Sequence, residues 1–183
     1  MNGSPFTGSC GLSGQSGKNV RNSEVEPSVD VNPADTTNII GTWQQDRWSN
    51  GASRGNVVGT SLDDGRTWKV IKRTKNSLCT GGTLANGGSY ERASDPWVTI
   101  SPNGNAYLMS LSVEQDPNAL GDFNPDAMLV SKSTDGGLTW SNPSTLIRDA
   151  KVFSASDQHG AFQRPPADLS GRFDPSGMER PRD

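Results

Sequence analysis

Ser61-Leu62-Asp63-Asp64-Gly65-Arg66-Thr67-Trp68 and Ser133-Thr134-Asp135-Gly136-Gly137-Leu138-Thr139-Trp140 are two copies of one octapeptide, Ser-x-Asp-x-Gly-x-Thr-Trp, and they decide the fold. Each is a chain reversal written in side-chain chemistry. Gly65 and Gly137 supply positive φ without a Cβ clash. Asp63 and Asp135 fold back to accept backbone N–H groups, and the hydroxyls of Ser61, Thr67, Ser133 and Thr139 close the network. Trp68 and Trp140 are expected to open the next strand and to cover the apolar side of the turn. Every position has a structural role, and none needs to touch a substrate.

The likeness extends upstream of both copies. Glu26-Pro27-Ser28-Val29-Asp30-Val31-Asn32-Pro33 matches Asp95-Pro96-Trp97-Val98-Thr99-Ile100-Ser101-Pro102 in pattern. Two units therefore share an opening motif, a closing motif and nearly the same length. Inside them the pattern is β. Val25, Val29 and Val31 alternate around a break at Pro27, and strands are predicted at 38–43, at 56–60 and from Trp68 onward. The second unit repeats the plan at 97–100, 106–113, 127–131 and 140–147, with Tyr107, Met109, Leu111 and Val113 alternating as a two-faced strand requires. Four short strands in roughly 40–45 residues is the size of a propeller blade. The predicted fold is all-β, a partial β-propeller of two four-stranded antiparallel blades.

Composition agrees. Only 31% of the 183 residues are hydrophobic, and 21 Gly and 12 Pro favour turns and short strands over long helices. A net charge of -3 without a basic run argues against nucleic acid as a partner. No apolar stretch approaches the ~18 residues that span a bilayer, so no membrane partner is expected. Met1-Asn2-Gly3-Ser4-Pro5 has neither the basic nor the apolar region of a signal peptide.

The octapeptide is the Asp-box, or BNR repeat, and over roughly 22–147 the chain resembles the sialidase (neuraminidase) superfamily. Trp43-Gln44-Gln45-Asp46-Arg47-Trp48-Ser49-Asn50-Gly51 and Ser89-Tyr90-Glu91-Arg92-Ala93-Ser94-Asp95-Pro96-Trp97 look like segments of bacterial exo-α-sialidase-like proteins. The resemblance implies a β-propeller glycoside hydrolase, secreted, removing terminal sialic acids from sialylated glycans or acting on another carbohydrate. In that family a Tyr assisted by a Glu is the nucleophile, an Asp is the acid/base, and three arginines clamp the substrate carboxylate. This chain departs from the pattern. The Arg-Ile-Pro motif is absent, Tyr90 and Tyr107 are the only tyrosines, and the remaining catalytic groups normally come from blades not present here. The chain by itself is expected to be an inactive fragment; the alternative is a non-catalytic propeller module that binds glycan or protein.

Five residues are candidates to line a pocket. Asp46 and Arg47 are expected just past the second strand of unit one, and Glu91, Arg92 and Asp95 just before the inner strand of unit two. Arg47 or Arg92 would bind a carboxylate and Asp46 or Asp95 would act as acid; the competing reading makes them Arg–carboxylate pairs tying loops, or solvated charges. His159 is the only histidine, so no His-based metal cluster or triad can form within the chain. No cofactor is expected. Asn103, Asn105 and Asp126, with Asp116 and Asp122, form an oxygen-rich set that would suit structural Ca²⁺, although a hairpin turn and a polar loop explain them more simply. Cys10 and Cys79 either pair across a long loop or are unrelated thiols.

The domain plan is an N-terminal extension at 1–21, blade 1 at 22–72, a polar connector at 73–90, blade 2 at 91–148 and an irregular tail at 149–183. A third blade should open after Ile147, but Arg164-Pro165-Pro166, Asp174-Pro175 and Arg180-Pro181-Arg182 show no strand pattern. A truncated or frame-shifted product with a disordered tail accounts for this, with a genuine two-blade protein as the alternative. Two blades alone leave faces and edges uncovered, so missing blades or self-association must cover them.

Overall fold

The turns that the sequence marks with Asp, Asn and Gly close a series of antiparallel hairpins. The computed structural model describes residues 3–6, 8–115 and 123–149. Blade 1 is β1 (Glu24–Val31), β2 (Ile39–Arg47), β3 (Ser53–Ser61) and β4 (Lys69–Ile71); blade 2 is β5 (Arg92–Ile100), β6 (Ala106–Gln115), β7 (Phe123–Ser133) and β8 (Ser144–Asp149). Each strand pairs antiparallel with the next inside its blade, and a single pair, Ser53 opposite Ala93, joins β3 to β5. The fold is all-β, two four-stranded blades of a partial propeller.

The final strands start later than expected. β4 opens at Lys69 rather than Trp68, and β8 at Ser144 rather than near Trp140. Both tryptophans still belong to the turn: Trp68 Nε1 donates to the Gly65 carbonyl at 2.9 Å and Trp140 Nε1 to the Gly137 carbonyl at 3.1 Å. Inside the boxes the two networks match. Asp63 accepts from Ser61 Oγ (2.8 Å), Thr67 N (2.8 Å) and Thr67 Oγ1 (2.6 Å). Asp135 accepts from Ser133 Oγ (2.7 Å), Thr139 N (2.9 Å) and Thr139 Oγ1 (2.5 Å).

The core lies between the blades. Ile40, Val58 and Ile71 of blade 1 pack with Val98, Ile100, Leu108 and Trp140 of blade 2, all buried. Polar bonds pin the same joint: the Gly136 carbonyl accepts from Thr60 Oγ1 (2.6 Å) and Asn38 Nδ2 (3.1 Å), and the Ile100 amide donates to Asp30 (2.7 Å). The connector is more than a spacer. It folds into two short 3₁₀ turns, Leu78–Thr80 and Leu84–Asn86, and buries Thr74, Asn76 and Ser77. Asn76 donates to the Asn56 carbonyl of β3, and its own carbonyl accepts from Ser112 of β6.

Candidate functional site

Each blade's first strand is interrupted at the same place. The β1–β2 register shifts between Val25 and Ser28, and the β5–β6 register between Ser94 and Trp97. The interrupting pairs are Glu26-Pro27 and Asp95-Pro96. A bulge tolerates proline because it needs no ladder N–H there. Glu26 and Asp95 both take left-handed φ, 54° and 43°, which costs a residue with a Cβ on the order of 1–2 kcal/mol. The consequence is that two acidic side chains, one per blade, are turned out of their strands and brought together.

Gln44 of β2 links them. Its Nε2 donates to Glu26 Oε2 and, at 3.1 Å, to Ser94 Oγ, which donates in turn to Asp95 Oδ1 at 3.1 Å. Arg47 Nη1 holds the other end of the Gln44 amide at 2.7 Å. Gln44 and Ser94 are buried, whereas both carboxyls reach solvent. Burial, then the hydrogen bond and like charge of Asp95, hold Glu26 above the usual carboxylate range; Gln44 and Arg47 pull it part of the way back. The arrangement is a pair of neighbouring carboxyls beside one guanidinium, with the proton affinity of Glu26 raised.

The structure distributes the five sequence candidates over three environments. Asp46 and Arg47 are the last residues of β2, inside the strand rather than beyond it, because the chain turns back only at Trp48 to Ala52. Asp46 is wholly buried, with φ 61°. Its carboxylate meets Arg54 at 3.2 Å and also accepts from Ser4 Oγ (2.6 Å), the Asn22 amide (2.9 Å) and Gln45 Nε2 (3.1 Å). Four donors leave it no reach for a ligand. Arg92 opens β5 and is also wholly buried. It donates to Gln15, Asn50, and the carbonyls of Gly51 and Ser16, and lies 4.4 Å over the Trp48 ring. Burial pulls its guanidinium down to about 10, with Glu91 opposing, so it remains a cation at neutral pH. Glu91, just before β5, accepts from Gln15 Nε2 at 2.6 Å. Arg47 and Asp95 belong to the Gln44 cluster.

The N-terminal segment supplies Ser4, Gln15 and Ser16 among these partners, and it is tied down covalently: Cys10 and Cys79 form a disulfide. Arg54 donates to the carbonyls of Gly8 and Cys10 and lies 5.4 Å over Phe6. Tyr90 is buried, and burial pushes its hydroxyl up, the reverse of what a nucleophile requires. Tyr107 sits beneath the Lys132 ammonium at 5.9 Å.

Asn103 closes a turn, accepting from Ser101 Oγ and the Asn105 amide. Among the described residues no group of three or more His, Cys, Asp or Glu is placed to hold a metal ion. Asp116, Asp122, His159 and the tail from residue 150 lie outside the described residues. A shallow groove of about 470 Å³ runs between β4 and the second box, lined by Lys69, Lys72, Arg73, Lys75 and Trp140. Glu26 was absent from the sequence candidates. The signal that marks it is the acidic-residue-proline pair at the same place in both repeats.

No protein-family model matches the chain, and no curated protein matches it. Solved structures similar to it include an α-L-arabinofuranosidase of Fusarium graminearum in complex with an iminosugar inhibitor and an α-L-arabinanase of Penicillium chrysogenum complexed with arabinobiose. Each is 19% identical with a TM-score of 0.46, over 70% of this chain and 33% of the other. A protein of unknown function from Dyadobacter fermentans is similar at 19% identity and a TM-score of 0.45, over 66% of this chain and 35% of its own. The chain thus spans about one third of these structures.

Proposed function

We propose that this chain supplies two blades, and the acidic pair Glu26–Asp95, to a sialidase-like glycoside hydrolase propeller acting on terminal sialic acids. The observation that carries the reading is the meeting of two carboxyls from equivalent bulges of neighbouring blades. A carboxyl whose proton affinity is raised by a second one beside it is a group that can donate a proton to a departing glycosidic oxygen. Glu26 is that donor, and Asp95, Gln44 and Arg47 position it. The Asp-boxes support the scaffold assignment and take no part in the chemistry. Nucleophile and carboxylate clamp have to come from other blades. The Cys10–Cys79 disulfide favours an extracellular setting.

The test is release of a fluorescent aglycone from a sialoside by a propeller that contains these two blades. Turnover is expected, and Glu26→Gln should lower it at least 100-fold with the circular dichroism spectrum unchanged. Absence of turnover on sialosides and on other glycosides would sink the hydrolase reading. A second reading, a module that binds glycan or protein without catalysis, is favoured by the buried Tyr90 and by the full commitment of Arg92 to protein partners. Under it, titrating sialyllactose into the chain shifts NMR resonances of Glu26 and Asp95 and no sugar is cleaved.

A further inference from the structure

Blade 2 seats on blade 1 through a face whose counterpart on blade 1 is bare among the described residues. The strand registers align the two: Val31 opposite Ile39 occupies the place that Ile100 opposite Ala106 occupies in blade 2. Val98, Ile100 and Trp140 are 2%, 6% and 5% exposed at the joint, while their counterparts Val29, Val31 and Trp68 are 67%, 44% and 49% exposed. Three large apolar side chains are thus arranged for a blade that the described residues do not contain.

The far side of blade 2 offers what that face would receive. Trp97, opposite Met109, which is itself opposite Val130, forms an apolar row across three strands, and Trp97 is 61% exposed. The polar bonds of the joint also have counterparts. Asn38 precedes β2 as Asn105 precedes β6, and Thr60 lies opposite Ile40 as Lys132 lies opposite Tyr107. Asn38 and Thr60 donate to the Gly136 carbonyl in box 2. Asn105 and Lys132 are donors too, and the carbonyl that matches Gly136 in box 1 is that of Asp64, in a turn where Asp63 and Asp64 outnumber Arg66, the partner of Asp64 at 3.7 Å.

We propose that a second copy of this chain docks head to tail, the far side of its blade 2 seating on the bare face of blade 1 and repeating the internal joint. The contact is heterologous: the two surfaces are different patches of one chain, so association propagates or closes into a ring. It concerns the chain by itself and does not use the Glu26–Asp95 pair; in the larger propeller of the proposed function a further blade would take the place of the second copy.

The full chain should sediment with a weight-average mass that rises above 19.5 kDa with concentration. Val29→Lys and Trp97→Lys, both at exposed positions, should each weaken association at least tenfold, whereas Leu84→Lys, at a 91% exposed position on neither face, should not. Mixing Val29→Lys with Trp97→Lys should restore one intact contact and stop at a dimer. Amide exchange of the wild-type chain supplies a readout free of substitutions: protection in β1 and in β6 should rise on concentrating. A chain monomeric at every concentration, exchange that ignores concentration, or a mixture no better associated than either variant alone would overturn the proposal.

Discussion

The two Asp-boxes share a sequence and an internal hydrogen-bond network, yet one is inside the molecule and the other outside. Box 2 is clamped by blade 1: Thr60 and Asn38 hold its Gly136 carbonyl, and Trp140 fills the inter-blade core. Among the described residues nothing covers box 1, and Trp68 is half exposed. The motif therefore does two separable things. It reverses the chain by itself, and it packs a blade against its neighbour only when that neighbour is there.

Tryptophan truncation separates the two roles most sharply. In the dilute chain Trp140→Ala should cost about 3–5 kcal/mol, the range for an aromatic removed from a core, and Trp68→Ala about 1 kcal/mol. Urea midpoints would measure both, and equal costs would break the comparison. Glycine substitutions come next. Gly65 and Gly137 have φ of 79° and 87°, so an alanine at either is strained by about 1–2 kcal/mol. At Gly65 the new Cβ would meet Ile39 and Trp68 only at ordinary contact distance, while at Gly137 it would lie 2.8 Å from Ile40. Gly137→Ala should cost about 1–3 kcal/mol more, read in the same titration.

The smallest effect is acid sensitivity, and it should be shared by both boxes. Hydrogen bonds from the Thr67 side chain and amide, then from Ser61, lower Asp63 to about 2. Burial raises Asp135, but its bonds from Thr139 and Ser133 outweigh that and leave it depressed. A depressed carboxyl stabilises the fold above its ordinary value and loses that contribution as pH falls through the folded value. Urea midpoints should therefore drop between about pH 4 and 2, and drop less in Asp63→Asn and Asp135→Asn. Glu26 runs the other way: its raised value contributes stability at low pH that is lost as pH climbs through it.

The scaffold was legible because its rules are local. Asp, Gly and Ser at fixed turn positions and alternating apolar residues place the blades, and the repeat counts them. Strand ends were read less well, since Trp68 and Trp140 bond back into their turns and Pro143 lacks an N–H to start a ladder. The site was read only in part. Asp46 and Arg92 look like loop charges in the sequence, and they are buried because residues 4–22, which carry no periodic pattern, fold over them. Glu26 and Asp95 meet only through the packing of two strands far apart in sequence, and no local rule announces that.

The N-terminal segment has a consequence in time. Ser4 and Asn22 bind Asp46 of blade 1, while Gln15 and Ser16 bind Arg92 of blade 2, so the segment's full set of partners exists only when both blades have formed. The disulfide that holds it there joins residues 69 positions apart. Docking of the segment is thus completed after the two blades, and until then Arg54 lacks the carbonyls of Gly8 and Cys10 and Arg92 that of Ser16.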